Sequence, residues 1–291
     1  MSNYRPPKQQ LHRDFVYLDH DSVLNSLSAL EAGRIDDIIQ KTTEALDGSI
    51  QAGLNAGPLK GGAGRKKVSE IQQELVRKRT NFSAFEAWYS KLKSESGIGR
   101  FDVWDLDVRN QLEVGHVVEF RALVRLSPLH LLFATLSAYA GLASPTNPVF
   151  KVARSEAVSL RETAKIVDQW LGGSRGNRSL SVYIEPVPSG SNSPTIVGRV
   201  AEKYLTRELH ELDGPFIVVV QIENVLDRNQ ELAAIRVIRD APATPIETRS
   251  IATALASFQG EVSETMGVPI TETDITYRYP TVVCRPIAIY R

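Results

Sequence analysis

SLSVYIEPV (179–187), PSGSNS (188–193) and PTIVGRVAEKYL (194–205) make up the stretch on which the fold turns. Two runs rich in β-branched and aromatic residues flank six residues of Pro, Ser, Gly and Asn, which predicts two strands joined as a hairpin. Downstream, PFIVVVQIENVL (215–226) and ELAAIRVIR (231–239) flank Asp227-Arg228-Asn229 and predict a second hairpin. Thr244-Pro245-Ile246-Glu247 then reads as a capping box with proline at the first helical position. Ile251, Ala254, Leu255, Phe258 and Val262 give that helix an apolar face, and Gly267 with Pro269 ends it. TVVCRPIAIYR (281–291) is a last strand, in which Pro286 marks an edge or a bulge.

Upstream the pattern is mainly helical. GGSRGNRS (172–179) is the compositional boundary between an amino-terminal lobe, 14–175, and a carboxy-terminal lobe, 176–291. FVYL (15–18) predicts a short strand, and Asp19 or Asp21 can cap a helix carrying Val23, Leu24, Leu27 and Leu30. Between 66 and 92, Val68, Ile71, Leu75, Phe82, Phe85, Tyr89 and Leu92 recur at spacings of three and four, an apolar helical stripe interrupted by Lys78. VVEFRALVRL (117–126) alternates as a half-buried strand should, with Glu119, Arg121 and Arg125 on one side. Pro128 opens a helix through Leu129, Leu132, Phe133, Leu136 and Tyr139, and a further helix is expected over about 149–171. The fold class that follows is α+β: a helical amino-terminal lobe with a few strands, and a carboxy-terminal antiparallel sheet covered by the 244–267 helix.

The 291 residues suffice for a sizeable core. Lys and Arg number 34 and Asp and Glu 34, so the chain lacks the general attraction for phosphate backbones that marks a dedicated nucleic-acid binder. One cysteine, Cys284, excludes an intrachain disulfide and a thiolate metal cluster, and its apolar surroundings predict a buried, inert thiol. The first 13 residues read as a polar, disordered leader without an apolar signal segment, and no run is a bilayer span. A cytoplasmic location is expected, and no cofactor is implied.

Candidate chemistry is sparse. Residues 48–65 form a glycine-rich loop, and Lys60, Arg65, Lys66 and Lys67 make it a basic surface for an anionic ligand or partner. It is not a Walker loop, because Arg65 precedes the lysines and Val68 stands where a magnesium-binding hydroxyl belongs. GGSRG (172–176) spells a hydrolase elbow around Ser174, but a helix precedes it and a strand follows, the reverse of what the elbow requires. In DVWDLDV (102–108), Asp105 and Asp107 stand two apart. On a strand they would face one side and could hold a divalent ion, with Trp104, Leu106 and Val108 turned inward. The pair resembles one feature of nucleotidyltransferases. The histidines show no ligand spacing, and His130, among leucines, reads as partly buried and neutral.

FVYLDHDSVLNSLSALEAGRI (15–35), with Tyr17, Leu18, Asp19, Ser26, Ala29 and Gly33, resembles the opening of an uncharacterised prokaryotic family, domain-of-unknown-function family 6414. The close, Arg285-Pro286-Ile287-Ala288-Ile289-Tyr290-Arg291, is similar to the Pro-(Ile/Leu)-Ala-Ile-Tyr ending of the same family, and IVGRV (196–200) fits a strand near its middle. The resemblance implies a soluble prokaryotic protein and supplies no activity. The functional expectation is a non-enzymatic binding or interaction protein, working through an unidentified protein partner, an anionic ligand or a homo-oligomer, with nucleic acid disfavoured. The alternative is a metal-dependent phosphoryl- or nucleotidyl-transfer enzyme using Asp105 and Asp107.

Overall fold

The structure, a computed structural model, describes residues 13–31, 81–172, 178–238 and 270–291. The chain divides into two compact units, one of residues 1–18 with 99–291 and one of residues 19–98.

In the described part of the smaller unit, Asp19 caps helix α1 (His20–Glu31) by accepting from Ser22 N at 3.0 Å and Ser22 Oγ at 2.6 Å. Val23 and Leu27 are its buried positions. Helix α2 (81–94) buries Ala84, Phe85, Trp88 and Tyr89; of the predicted stripe Phe85 and Tyr89 are buried, stacked at 5.5 Å, Phe82 and Leu92 are half-buried, and the buried face is shifted to take in Ala84 and Trp88. Ser96, at φ 57°, turns the chain so that Gly97 N donates to Leu92 O at 2.7 Å.

The larger unit is built on a closed barrel. Its five strands are β2 (Val117–Leu126), β3 (Ser179–Pro186), β4 (Ile196–Ala201), β5 (Gly214–Val225) and β8 (Val282–Tyr290). β2 pairs antiparallel with β3 and β5, β3 antiparallel with β4, and β5 antiparallel with β8. β4 and β8 close the ring in parallel, from Ile196↔Val282 to Gly198↔Cys284. The order β2-β3-β4-β8-β5 and back to β2, with that single parallel seam, is the connectivity of the OB barrel. Inward positions follow the period of two: Val118, Phe120, Ala122 and Val124 on β2, Leu180, Val182 and Ile184 on β3, and Phe216, Val218, Val220 and Ile222 on β5. The connection from β4 to β5 passes through two 3₁₀ turns, Glu202–Tyr204 and Leu209–Leu212, whose Tyr204 and Leu212 join the same core. Strand β1 (Phe15–Leu18) adds to β8 beyond the end of the β4 ladder, Phe15↔Tyr290 through Leu18↔Ala288. That ladder stops at Cys284, two residues before Pro286, which has no N–H to give. The β5–β8 register slips between Val219↔Ala288 and Val220↔Pro286, so Pro286 does sit at a bulge.

A second core lies on the outer faces of β4 and β8. Helix α3 is the short turn Leu106–Asn110, described with the site below. Leu129, Leu132, Phe133 and Leu136 of α4 (Pro128–Leu142) and Val167 of α5 (Arg154–Gly172) pack with Val197 and Val283. Ile235, Val237 and Ile238 of α6 (Ile235–Ile238) complete the layer with Ile275 and Tyr277. Pro128 opens α4, as the sequence predicts, and Ser127 caps it.

The α+β expectation of a helical amino-terminal lobe beside an antiparallel sheet under one long helix is therefore overturned. VVEFRALVRL of the supposed helical lobe is a barrel strand bonded on both edges, and the sheet closes on itself. Continuous burial along β8, from Val282 to Cys284 and Pro286 to Tyr290, reflects cover on both faces, which an open sheet with one wet face would not give. The second predicted hairpin also fails. Gln230 N donates to Asp227 O at 2.9 Å in a turn that leads the chain off the barrel, and ELAAIRVIR divides into β6 (Glu231–Ala233) and α6. β6 pairs instead with β7 (Thr276–Arg278). Arg121 and Arg125 are exposed on β2 as expected, but Glu119 is buried, accepting from Tyr290 Oη at 2.9 Å and Arg100 Nε at 2.8 Å. The 149–171 helix begins at Arg154, and the 244–267 helix lies outside the described residues.

Candidate functional site

A recess of about 690 Å³ opens where the end of β3 and the start of β4 face the 273–281 segment. Its floor and near wall are Leu123, Tyr183, Ile184, Pro186 and Ile196, and its far wall is Asp274, Thr276, Tyr277, Tyr279 and Thr281. The volume is that of a small-molecule site.

Two constructions hold the walls. On the near side, Trp104 is fully buried and ties the 188–195 loop to the chain before α3. Its indole N–H donates to Pro194 O at 2.6 Å, its main-chain N–H to Pro188 O at 3.1 Å, and its carbonyl accepts from Gly190 N and Ser193 Oγ, both at 2.8 Å. On the far side, Asp274 sits in the short helix α7 (Glu272–Ile275) and closes a capping box with Thr271, taking Thr271 N at 2.9 Å and Thr271 Oγ1 at 2.7 Å on one oxygen. Its other oxygen accepts the Tyr183 hydroxyl at 2.7 Å, which joins β3 to the far wall. Behind that wall, buried Arg109 donates to Pro280 O at 3.3 Å and to Leu226 O, with its guanidinium 4.8 Å from the centre of the Tyr279 ring. Arg109 thus locks the turn before β8 through carbonyl oxygens.

Charges in the lining are matched internally. Asp274 accepts from the three donors above. Glu185 lies 3.5 Å from Arg125, and Arg278 donates to Glu231 at 2.8 Å and Glu272 at 2.7 Å. Burial, the neighbouring Tyr277 and the bond to Asp274 push the Tyr183 phenol far above its ordinary range. Burial likewise pushes Tyr277 up to about 12, so both are neutral hydroxyls at physiological pH. The Tyr277 hydroxyl is buried, with the Ser181 and Tyr183 hydroxyls as its hydrogen-bonding neighbours. What the lining offers a visitor is hydroxyl groups and apolar surface.

Asp105 and Asp107 are not brought together on a strand. Asp105 caps α3, with Oδ1 accepting from Val108 N at 2.8 Å, and Asp107 is exposed in the first turn. Leu106 is exposed rather than turned inward, while Trp104 is buried. The helix start wins because an aspartate three residues before Val108 satisfies an orphan N–H that a strand would spend on a neighbour. Among the described residues no three His, Cys, Asp or Glu side chains are placed to hold a metal ion. Lys60, Arg65, Lys66 and Lys67, the whole 48–65 loop and Ser174 lie outside the described residues. His130 is buried, and burial with the nearby Arg178 charge lowers it to about 4, so it is the neutral histidine expected. Cys284 is a buried free thiol whose ionisation burial opposes. None of the described helices is long and apolar enough to cross a membrane. Trp104, Arg109, Tyr183, Asp274 and Tyr277 do not stand out in the sequence. Thr271-Glu272-Thr273-Asp274 carries the spacing of a capping box, the one local signal that could have located the far wall.

A family model described as "Domain of unknown function (DUF6414)" matches residues 12–290. The chain belongs to the DUF6414 family. The match runs through both compact units, and the two stretches that carry the resemblance meet in space. Tyr17 and Leu18 of the opening pair with Ile289 and Ala288 of the close, so the DUF6414 termini form one ladder at the side of the barrel. Neither the curated proteins nor the solved structures yield a significant match.

Proposed function

We propose that the protein is a non-enzymatic binding protein whose ligand occupies the recess between β3 and the 273–281 segment. The observation that carries this reading is a space of about 690 Å³ whose ionisable side chains are engaged with one another, leaving hydroxyls and apolar surface to meet a ligand. A catalytic site needs an acid or base poised near neutral pH within reach of a reacting atom, whereas the two displaced phenols of the lining, Tyr183 and Tyr277, are pushed away from it. Fold analogy adds weight. Barrels of this connectivity bind ligands on the face and loops that correspond here to β3, β4 and the 226–281 connection.

The test is a screen of small-molecule fragments by threonine-methyl NMR. Perturbations at Thr195, Thr276 and Thr281, abolished in a Thr276→Trp variant that fills the recess, support the reading. Perturbations confined to residues away from these three refute it.

A further inference from the structure

We propose that the ligand is an extended polypeptide segment that adds a strand, parallel to β7, to the β6–β7 pair; the inference rests on the binding reading above. That pair is a two-stranded sheet of its own, outside the barrel. Within its register, Ala234 N donates to Ile275 O at 2.8 Å. Antiparallel pairs alternate between residues that exchange main-chain bonds and residues that do not. Leu232 and Tyr277 therefore bond across the pair, while Thr276 and Arg278 turn their N–H and C=O groups to the outer side of β7. The recess lies on that outer side, because all three β7 residues line it and no β6 residue does. Each of the two outward residues has one group already engaged. Thr276 N donates to Glu272 O, and Arg278 O accepts from Thr281 N at 2.9 Å. The other two groups, Thr276 O and Arg278 N, have no partner among the described residues.

That leftover acceptor and donor select both the class and the direction of the visitor. In a parallel ladder one residue donates its N–H to the carbonyl just before its opposite number and accepts from the N–H just after it. A visiting residue opposite Tyr277 thus requires Thr276 O and Arg278 N, the two groups that are open. An antiparallel strand would instead pair with Thr276 and Arg278 themselves, and would meet a Thr276 N–H and an Arg278 carbonyl that are already bonded. A polypeptide carries the matching donor and acceptor on a single residue, which is the basis of strand addition to an open sheet edge. Side-chain preference follows from the register, since residues opposite one another share a face of the sheet. The residue opposite Tyr277 points to the buried side, where Tyr183 meets Tyr277 edge-on at 6.3 Å and Leu123, Ile184 and Ile196 form an apolar wall. Its two neighbours stand beside Thr276 and beside exposed Arg278, whose guanidinium is held by Glu231 and Glu272. The occupant is polar, apolar, polar over about three residues, roughly 10 Å of extended chain. Its apolar member is not proline, which has no N–H to give.

The test is titration of the full, nitrogen-15-labelled chain, followed by amide NMR, with acetylated and amidated pentapeptides Ser-Thr-Xaa-Thr-Ser. Xaa is valine, isoleucine, leucine or phenylalanine, and each peptide is compared with its copy N-methylated at Xaa and with a thymidine hexanucleotide. The expectation is that at least one peptide binds, moves the Arg278 amide downfield and slows its exchange with solvent, and that Thr276→Trp abolishes the effect. N-methylation removes the proton that Thr276 O accepts and should weaken the same peptide roughly tenfold or more, the loss of one hydrogen bond with its acceptor left unmet. Arg278→Pro deletes the outward N–H and should abolish binding, whereas Arg278→Ala keeps it and should bind within about twofold of the parent, as an exposed side chain allows. The N-methyl comparison needs no change to the protein, so it decides the matter even where Arg278→Pro does not fold. Equal binding of a peptide and its N-methylated copy, or binding that leaves the Arg278 amide unmoved, overturns strand addition. If the hexanucleotide binds in a Thr276→Trp-sensitive way and no peptide does, the ligand class is wrong while the recess stands as a site. If no probe binds, this proposal fails; the binding reading itself is removed only by fragment shifts away from Thr195, Thr276 and Thr281.

Discussion

Replacing Trp104 by phenylalanine isolates the bond that fixes the near wall of the recess. The main-chain ties of residue 104 to Pro188 and Gly190 survive the change, because they use backbone atoms. The indole N–H to Pro194 O bond, at 2.6 Å, does not survive. Leaving the carbonyl of buried Pro194 without its donor costs about 1–3 kcal/mol. The smaller ring gives up further buried apolar area in a fully enclosed position, about 1 kcal/mol more. The expected loss is therefore about 2–4 kcal/mol, and Trp104→Ala should reach or exceed the usual ~3–5 kcal/mol for deleting a buried aromatic. Urea unfolding followed by circular dichroism reads the difference, with the slope of the transition checked for a change in the unfolded state. Binding in the recess should weaken in Trp104→Phe along with stability, since the 188–195 loop borders both. A Trp104→Phe protein within about 0.5 kcal/mol of the parent, the range of an indifferent surface substitution, would refute the reasoning that this indole anchors the loop.

Other expectations follow from single contacts. Gly198→Val should cost about 1–3 kcal/mol by overpacking, because a Cβ there already stands 3.1 Å from Pro286 Cγ and 3.2 Å from Ile184 Cδ1; an unchanged urea midpoint would contradict the packing of β4 on β8. Asp105→Ala should lose about 1 kcal/mol as a helix cap, with Asp107→Ala nearly neutral, and neither should alter any melting shift produced by magnesium or manganese. Loss of such a shift in both variants would instead restore the pair as a metal site. His130 is held neutral, lowered from 6.5 to about 4, so the unfolded chain takes up the proton first as pH falls. Its contribution is complete above about 6.5 and is lost by about 4, on the order of 3 kcal/mol in total. Urea titrations at pH 7 and pH 5 should show the parent losing more stability than His130→Leu, and parallel losses would count against the assignment.

The strands themselves were largely legible, because each carries a period-two or continuously apolar run: β1, β2, the β3–β4 hairpin and β8 all lie where the sequence puts them. Closure was not. Whether β5 turns back on its successor or pairs with strands about a hundred residues before it and sixty after depends on long-range partners, and PFIVVVQIENVL reads the same either way. The parallel β4–β8 seam leaves no local trace, and the 227–230 turn looks like a hairpin turn although it carries the chain away from the barrel. Helix starts were well marked, through Asp19 and through Pro128. At Asp105 the same capping chemistry lay hidden behind an alternating pattern of acids. The recess was invisible for a related reason. Its walls come from residues near 104, 183, 195 and 277, which only the closed barrel brings together, and its most consequential groups are buried hydroxyls and an arginine bonded to carbonyls. A reading that looked for acids, bases and metal ligands had no cause to pick them out.

Everything claimed for the recess depends on the seam where β4 and β8 run side by side, since Ile196 and Thr281 border it there and Val282 N donates to Thr195 O at 2.9 Å. Inter-strand nuclear Overhauser contacts across that seam test it directly. The structure requires Ile196 beside Val282, Val197 beside Val283 and Gly198 beside Cys284, all advancing in the same direction. Contacts advancing in opposite directions, or none at all between the two segments, would open the barrel and remove the site with it.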